Sequence, residues 1–141
     1  MNKLALTLTA LLIFACSNND DVSPTDIPEL AGTWLLVEEY NDPGDGSGDF
    51  MEIDSKKTIQ FLKDGIFSSN GKLCHLDTAT GPNTSGKYVV NDTLNEFSFE
   101  NYLFSEGCDF EDYKIYIHLD GPSLILTYPC IEGCAQKYKK K

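Results

Sequence analysis

The side chains with the most distinctive chemistry are the five cysteines. Cys16 stands alone near the start, and Cys74, Cys108, Cys130 and Cys134 lie in the body of the chain. With Cys16 set apart for the reason given below, an even set remains, which in an exported protein reads as a pair of disulfides with three possible connectivities. The short bridge, Cys130 with Cys134, is favoured because Pro129 and Gly133 permit the turn that brings two Cα atoms within about 7 Å. Cys74 and Cys108 would then tie two long loops together. The competing chemistry is a zinc site from Cys74, His75, Cys130 and Cys134, but its two halves match no compact ligand pattern. No Cys-x-x-Cys opens a helix, so a redox pair has no support.

Acidic residues concentrate in two places. Residues 41–49 (Asn-Asp-Pro-Gly-Asp-Gly-Ser-Gly-Asp) carry oxygens suited to calcium, and Glu52 follows Gly46 with the spacing of an EF-hand loop. Pro43 stands where a ligand belongs and no helices flank the segment, so it reads as a solvated loop. Residues 105–112 place four acids beside Cys108. Two carboxylates hydrolyse a glycosidic bond only when held about 5–9.5 Å apart across a sugar, which adjacency in a loop does not provide. Neither His75 nor His118 has a serine or cysteine partner in a nucleophile motif, and no phosphate-cradling glycine pattern is present. The expectation is a protein that is not an enzyme and needs no cofactor or metal.

Charge narrows the partners. Acids outnumber bases 22 to 11, for a net charge of −11, and every base is a lysine. Without arginine, and with a strongly negative field, the chain is poorly suited to nucleic acid. Lys137, Lys139, Lys140 and Lys141 form a basic end that reads as a solubilising terminus.

The elements that position these residues read as strands. From Leu30 onward no long stretch has a helical period, and short runs rich in β-branched and aromatic residues alternate with Gly, Asn, Asp and Pro clusters. The predicted strands are residues 32–40, 57–62, 66–69, 86–91, 94–100, 113–119, 123–128 and 135–139. Asp64-Gly65 is a hairpin signal between the second and third of these runs. Tyr113, Ile115, Ile117 and Leu119 alternate with Lys114, Tyr116 and His118, and Phe97 and Phe99 alternate with Glu96, Ser98 and Glu100. Eight strands joined by tight turns suit an antiparallel meander, and closing it into a barrel removes the exposed edges.

The first residues read as an address. Lys3 supplies a positive start and residues 4–14 an uncharged run of signal-peptide length, too short to span a membrane. Ile13-Phe14-Ala15-Cys16 resembles the lipobox of bacterial lipoproteins, which implies removal of residues 1–15 and lipidation of Cys16. Residues 16–29 then form an acidic, flexible linker, and several acyl chains on one cysteine anchor stably to a membrane. The implied location is an outer-membrane lipoprotein, periplasm-facing or exposed at the cell surface.

Residues 30–141 resemble the small bacterial lipocalin-like lipoprotein domain. The resemblance rests on Leu30-Ala31-Gly32-Thr33-Trp34, the Ile-x-Phe-x-x-Asp-Gly hairpin at residues 59–65, Gly-x-Tyr at Gly86 to Tyr88, and Tyr138 on the last strand. It implies an eight-stranded up-and-down barrel whose floor is packed by Gly32 and Trp34, with Lys137 or Lys139 as the cation over the indole. It also implies an open mouth under the first loop, residues 41–49. Leu36, Phe61, Phe67, Tyr88, Phe97, Phe99, Ile115 and Ile117 are expected to face inward as a ligand cavity. The leading expectation is a small hydrophobic ligand in the barrel cup. The rival is an accessory lipoprotein with a filled barrel, binding a protein or glycan partner through its loops.

Overall fold

A computed structural model describes residues 27–110 and 112–141; the expected signal peptide, Cys16 and residues 17–26 of the linker lie outside the described residues. Nine strands follow in order: β1 (Gly32–Asn41), β2 (Asp49–Glu52), β3 (Thr58–Phe61), β4 (Ile66–Ser69), β5 (Thr84–Val90), β6 (Asn101–Ser105), β7 (Lys114–Asp120), β8 (Ser123–Tyr128) and β9 (Cys134–Lys140). All pairings are antiparallel, each strand from β3 onward pairs with the next, and β9 returns to β1. The sheet therefore closes. The chain is an all-β, eight-stranded up-and-down barrel with one extra strand.

The extra strand has a simple origin. One edge of β1 pairs with β9 over most of its length, with a register shift between Leu36 and Glu38. Along the other edge β1 pairs first with β3, from Gly32 to Leu35, and then with β2, from Glu38 to Asn41. β2 and β3 thus lie end to end, separated by residues 53–57. Two backbone bonds carry the chain past the break: Ile53 N–H donates to Val37 O at 2.9 Å, and Leu36 N–H donates to Lys57 O at 3.0 Å.

Period-two alternation explains which side chains fill the interior. Trp34, Leu36, Ile59, Phe61, Phe67, Tyr88, Leu103, Ile115, Ile117, Leu124, Leu126 and Tyr138 form one continuous buried cluster. Each fully buried Leu, Ile or Phe side chain contributes about 1.5–3 kcal/mol relative to exposure. Gly86 is demanded by this packing: a Cβ there would stand 1.9 Å from Phe104 O and 2.8 Å from the Phe67 ring. At the Asp64-Gly65 hairpin both residues take left-handed backbone conformations, with φ of 63° and 66°, as the turn chemistry requires.

One predicted strand is corrected. Residues 94–100 form a loop, and the strand is β6, directly after it. Asn101 decides the difference. Its fully buried amide accepts from the N–H groups of Asn91 and Asp92 at 3.0 Å each and donates to Thr93 O at 2.9 Å, which folds the preceding segment back as a loop. Leu94 turns in against the core, and its carbonyl accepts from Leu119 N–H at 2.6 Å.

Candidate functional site

The two ends of the barrel are built differently. At the end where β1 finishes, residues 70–83 fold across the opening and insert Leu73, which is fully buried. Lys57, also fully buried, donates from Nζ to Lys72 O at 2.5 Å and to Asp77 O. Gln136 Nε2 donates to the same Asp77 carbonyl at 3.3 Å, while the hydroxyls of Tyr128 and Tyr138 each donate to Gln136 Oε1 at 2.8 Å. Burial pushes the Lys57 ammonium down to about 8, opposed by the charges of Asp77 and Glu39. Burial likewise raises both tyrosines, that of Tyr128 strongly.

Both disulfides belong to this end. Cys74–Cys108 joins residues 70–83 to the loop after β6, with Cα atoms 5.2 Å apart. Cys130–Cys134 closes the turn into β9, with Cα atoms 6.2 Å apart. The zinc reading is thereby overturned, because all three of its cysteines are spent in disulfides. In the first loop Asp42 accepts from the N–H groups of Gly44 at 2.8 Å and Gly46 at 3.1 Å, which lowers its carboxyl below the usual range. That carboxylate serves its own turn.

The other end is closed mainly by apolar side chains. Residues 27–30, most of them expected to be linker, form a turn against the barrel: Leu30 N–H donates to Ile27 O at 3.0 Å, and the fully buried Leu30 side chain plugs the opening. Trp34 locks that plug by donating from Nε1 to Leu30 O at 2.8 Å. Trp34 is buried at this end, and Gly32 beside it takes a φ of 113°. The cation over the indole is Lys140, 5.3 Å from the ring centroid, and not Lys137 or Lys139. Register explains the correction, since Trp34 lies opposite Lys140.

Beside the plug runs a groove of about 460 Å³, lined by Ile27, Ala31, Phe61, Leu62, Lys63 and Tyr88 among others. Phe61 and Tyr88 meet edge to face at 5.2 Å, and the Tyr88 hydroxyl donates to Leu62 O at 3.0 Å, fixing that wall. A smaller recess of about 250 Å³ opens on the far side of Ile27, against Leu94 and Leu119. The volume of the larger groove lies in the range of small-molecule sites.

The expected cavity residues divide three ways. Phe61 and Tyr88 reach the groove. Leu36, Phe67, Ile115 and Ile117 are packed in the core at 0–1% exposure, with neighbours filling the space a cup would need. Phe97 and Phe99 lie outside the barrel, 45% and 66% exposed, because their segment is a loop that lays them against Tyr116 on the outer face. The expected position of the mouth also changes: the groove lies opposite the first loop. Ile27 was missed because Pro24 and Pro28 give its surroundings the composition of a linker. Lys57 was missed because a Lys-Lys pair before a strand carries no signal of burial.

No family model, no curated protein and no solved structure matches the chain. The functional reading therefore rests on the groove, the core and the outer surface.

Proposed function

We propose that this protein is an exported, lipid-anchored, lipocalin-like binding protein, without enzymatic activity, that holds a small hydrophobic molecule in the groove at the Trp34 end. The observation that carries this reading is the groove of about 460 Å³ walled by Phe61, Leu62 and Tyr88, with the Lys63 side chain as a polar element of its lining. Apolar walls with a few polar groups suit a molecule with an apolar body and one polar end. The anchor at Cys16 and an outer-membrane location belong to the same reading. Both disulfides support an oxidising compartment.

Native mass spectrometry of the full chain purified from its own host tests the ligand. A co-purifying apolar mass that is lost in Leu62→Asp supports the reading. A bare protein that also fails to bind N-phenyl-1-naphthylamine overturns it. Incorporation of labelled palmitate that disappears in Cys16→Ala tests the anchor separately.

A further inference from the structure

The outer face of the barrel carries a row of side chains that neither the core nor the groove explains. Register places Val89, Tyr102, Tyr116, Thr127, Ala135, Tyr40 and Phe50 opposite one another in succession across β5, β6, β7, β8, β9, β1 and β2. Neighbouring positions are about 4.8 Å apart, one strand spacing, so the row forms a belt of uncharged residues across six of the eight barrel strands and onto β2. The loop before β6 adds Phe97 and Phe99 on top of it. Phe97 lies 5.9 Å from Tyr116 and 6.0 Å from the His118 ring, and Phe99 lies 5.1 Å from Tyr116, all edge to face.

Exposed phenylalanines in a fixed array are costly to leave in water, and an interacting surface is their usual use. The electrostatics select the partner. The belt already holds lysines at two places: Lys114 Nζ stands 4.2 Å from the Tyr102 centroid, and Lys137 Nζ stands 4.0 Å from that of Phe50. Among the described lysines none stands over Phe97, Phe99 or Tyr116. Exposed acids border that central stretch on one side at Glu96, Glu100 and Asp120, and Glu106, Asp109 and Asp112 follow β6 at the opposite end of the barrel. Beside Ile125, Thr127 and His118, a groove of about 270 Å³ extends the surface toward Tyr40 and Phe50. Ring faces attract cations, and carboxylates at the edges attract them further.

We propose that this belt docks a partner-protein segment with an apolar centre and lysine- or arginine-rich flanks. Its apolar residues cover Phe97, Phe99 and Tyr116, and its cations reach the ring faces and the bordering acids. The surface lies outside the barrel, so its test is separate from that of the groove.

The probe is a fluorescein-labelled twelve-residue peptide of alternating lysine and leucine, titrated with the full chain and followed by fluorescence anisotropy. Its glutamate-for-lysine counterpart and an uncharged glucan hexamer serve as comparisons. The expected result is saturable binding of the lysine peptide, weakened ~10-fold or more by Phe97→Ser with Phe99→Ser. Glu96→Gln with Glu100→Gln weakens it by a smaller factor and flattens its salt dependence. Leu62→Asp in the groove leaves it unchanged. These phenylalanines and acids are exposed, so circular dichroism and thermal midpoints of the variants match the parent. The proposal is overturned if the lysine peptide fails to bind or binds the phenylalanine variant equally. It is also overturned if the charge variant binds as the parent does, or if the glucan binds with the same dependence on Phe97 and Phe99.

Discussion

One end of this barrel is closed with polar groups and covalent bonds, and the other mainly with apolar side chains, with Lys140 over Trp34 and donating to Glu29 O at 3.3 Å. At the first end Lys57, Gln136, Tyr128 and Tyr138 satisfy one another and the carbonyls of residues 70–83, and both disulfides stand nearby. At the second end Leu30 and Trp34 form the plug, with a single side-chain bond between them, and an open apolar groove runs beside it. Buried polar networks fix a unique arrangement when every member is satisfied. Apolar surfaces are non-directional and adapt to what enters. The polar end is therefore tied to one arrangement, and the apolar end is the one to which the proposed ligand is assigned.

The largest effect that tests this contrast comes from the longer disulfide. Cys74→Ala with Cys108→Ala frees a loop of sequence separation 34 and is expected to lower unfolding free energy by about 4 kcal/mol in the chain-entropy model. Cys130→Ala with Cys134→Ala opens a separation of only 4 and is expected to lower it by about 2 kcal/mol. Urea denaturation measures both, and equal losses would show that the longer bridge does not hold the closed end.

Lys57 comes next, and its effect depends on pH. The folded chain releases this proton near pH 8, whereas an unfolded chain holds it to about 10.4. Between those values the unfolded state binds more protons, so stability rises with pH, by about 1–3 kcal/mol in total. Tyr128 and Tyr138 act in the opposite direction above about pH 10, where the unfolded chain releases protons that the folded chain retains. Urea midpoints measured from pH 7 to 11 should rise and then fall. Lys57→Met should remove the rise and keep the fall; a rise that survives the substitution would assign it to another group.

Trp34→Phe removes the bond to Leu30 O while keeping most of the aromatic packing. A loss of about 1–2 kcal/mol is expected from the orphaned carbonyl and the reduced volume. Hydrogen exchange should locate the added opening at Leu30 and leave the amides around Lys57 unchanged. The smallest stability effect belongs to Leu62→Asp, at a position 41% exposed on the groove wall. Its unfolding free energy should change by less than about 0.5 kcal/mol, while affinity for N-phenyl-1-naphthylamine falls ~10-fold or more, because a carboxylate at the wall is costly to desolvate. A large stability change there would mean that the groove is structural.

Much of the architecture was legible because it depends on local rules. Alternation in β7 assigned Ile115 and Ile117 inward and Tyr116 and His118 outward, and the barrel shows both. Pro129 and Gly133 pointed to the short disulfide, which left Cys74 to Cys108. The segment holding Phe97 and Phe99 misled because its alternation satisfies the same rule as a strand. The competing claim came from Asn101, whose amide bonds reach back eight to ten residues and turn that segment into a loop. β2 was missed because residues 49–52 are short and bear acids at both ends, and they pair only because β1 is long enough to offer a free edge.

Composition, period and cysteine spacing by themselves determined an all-β closed sheet, the inward-facing residues of strands such as β7 and the preferred disulfides, since each follows from side-chain volume, chirality and chain entropy. The tertiary structure alone decided that the lumen is filled, that the apolar groove lies at the Trp34 end, and that one lysine is buried. Those outcomes depend on which distant side chains compete for the same space, and no local pattern carries that competition.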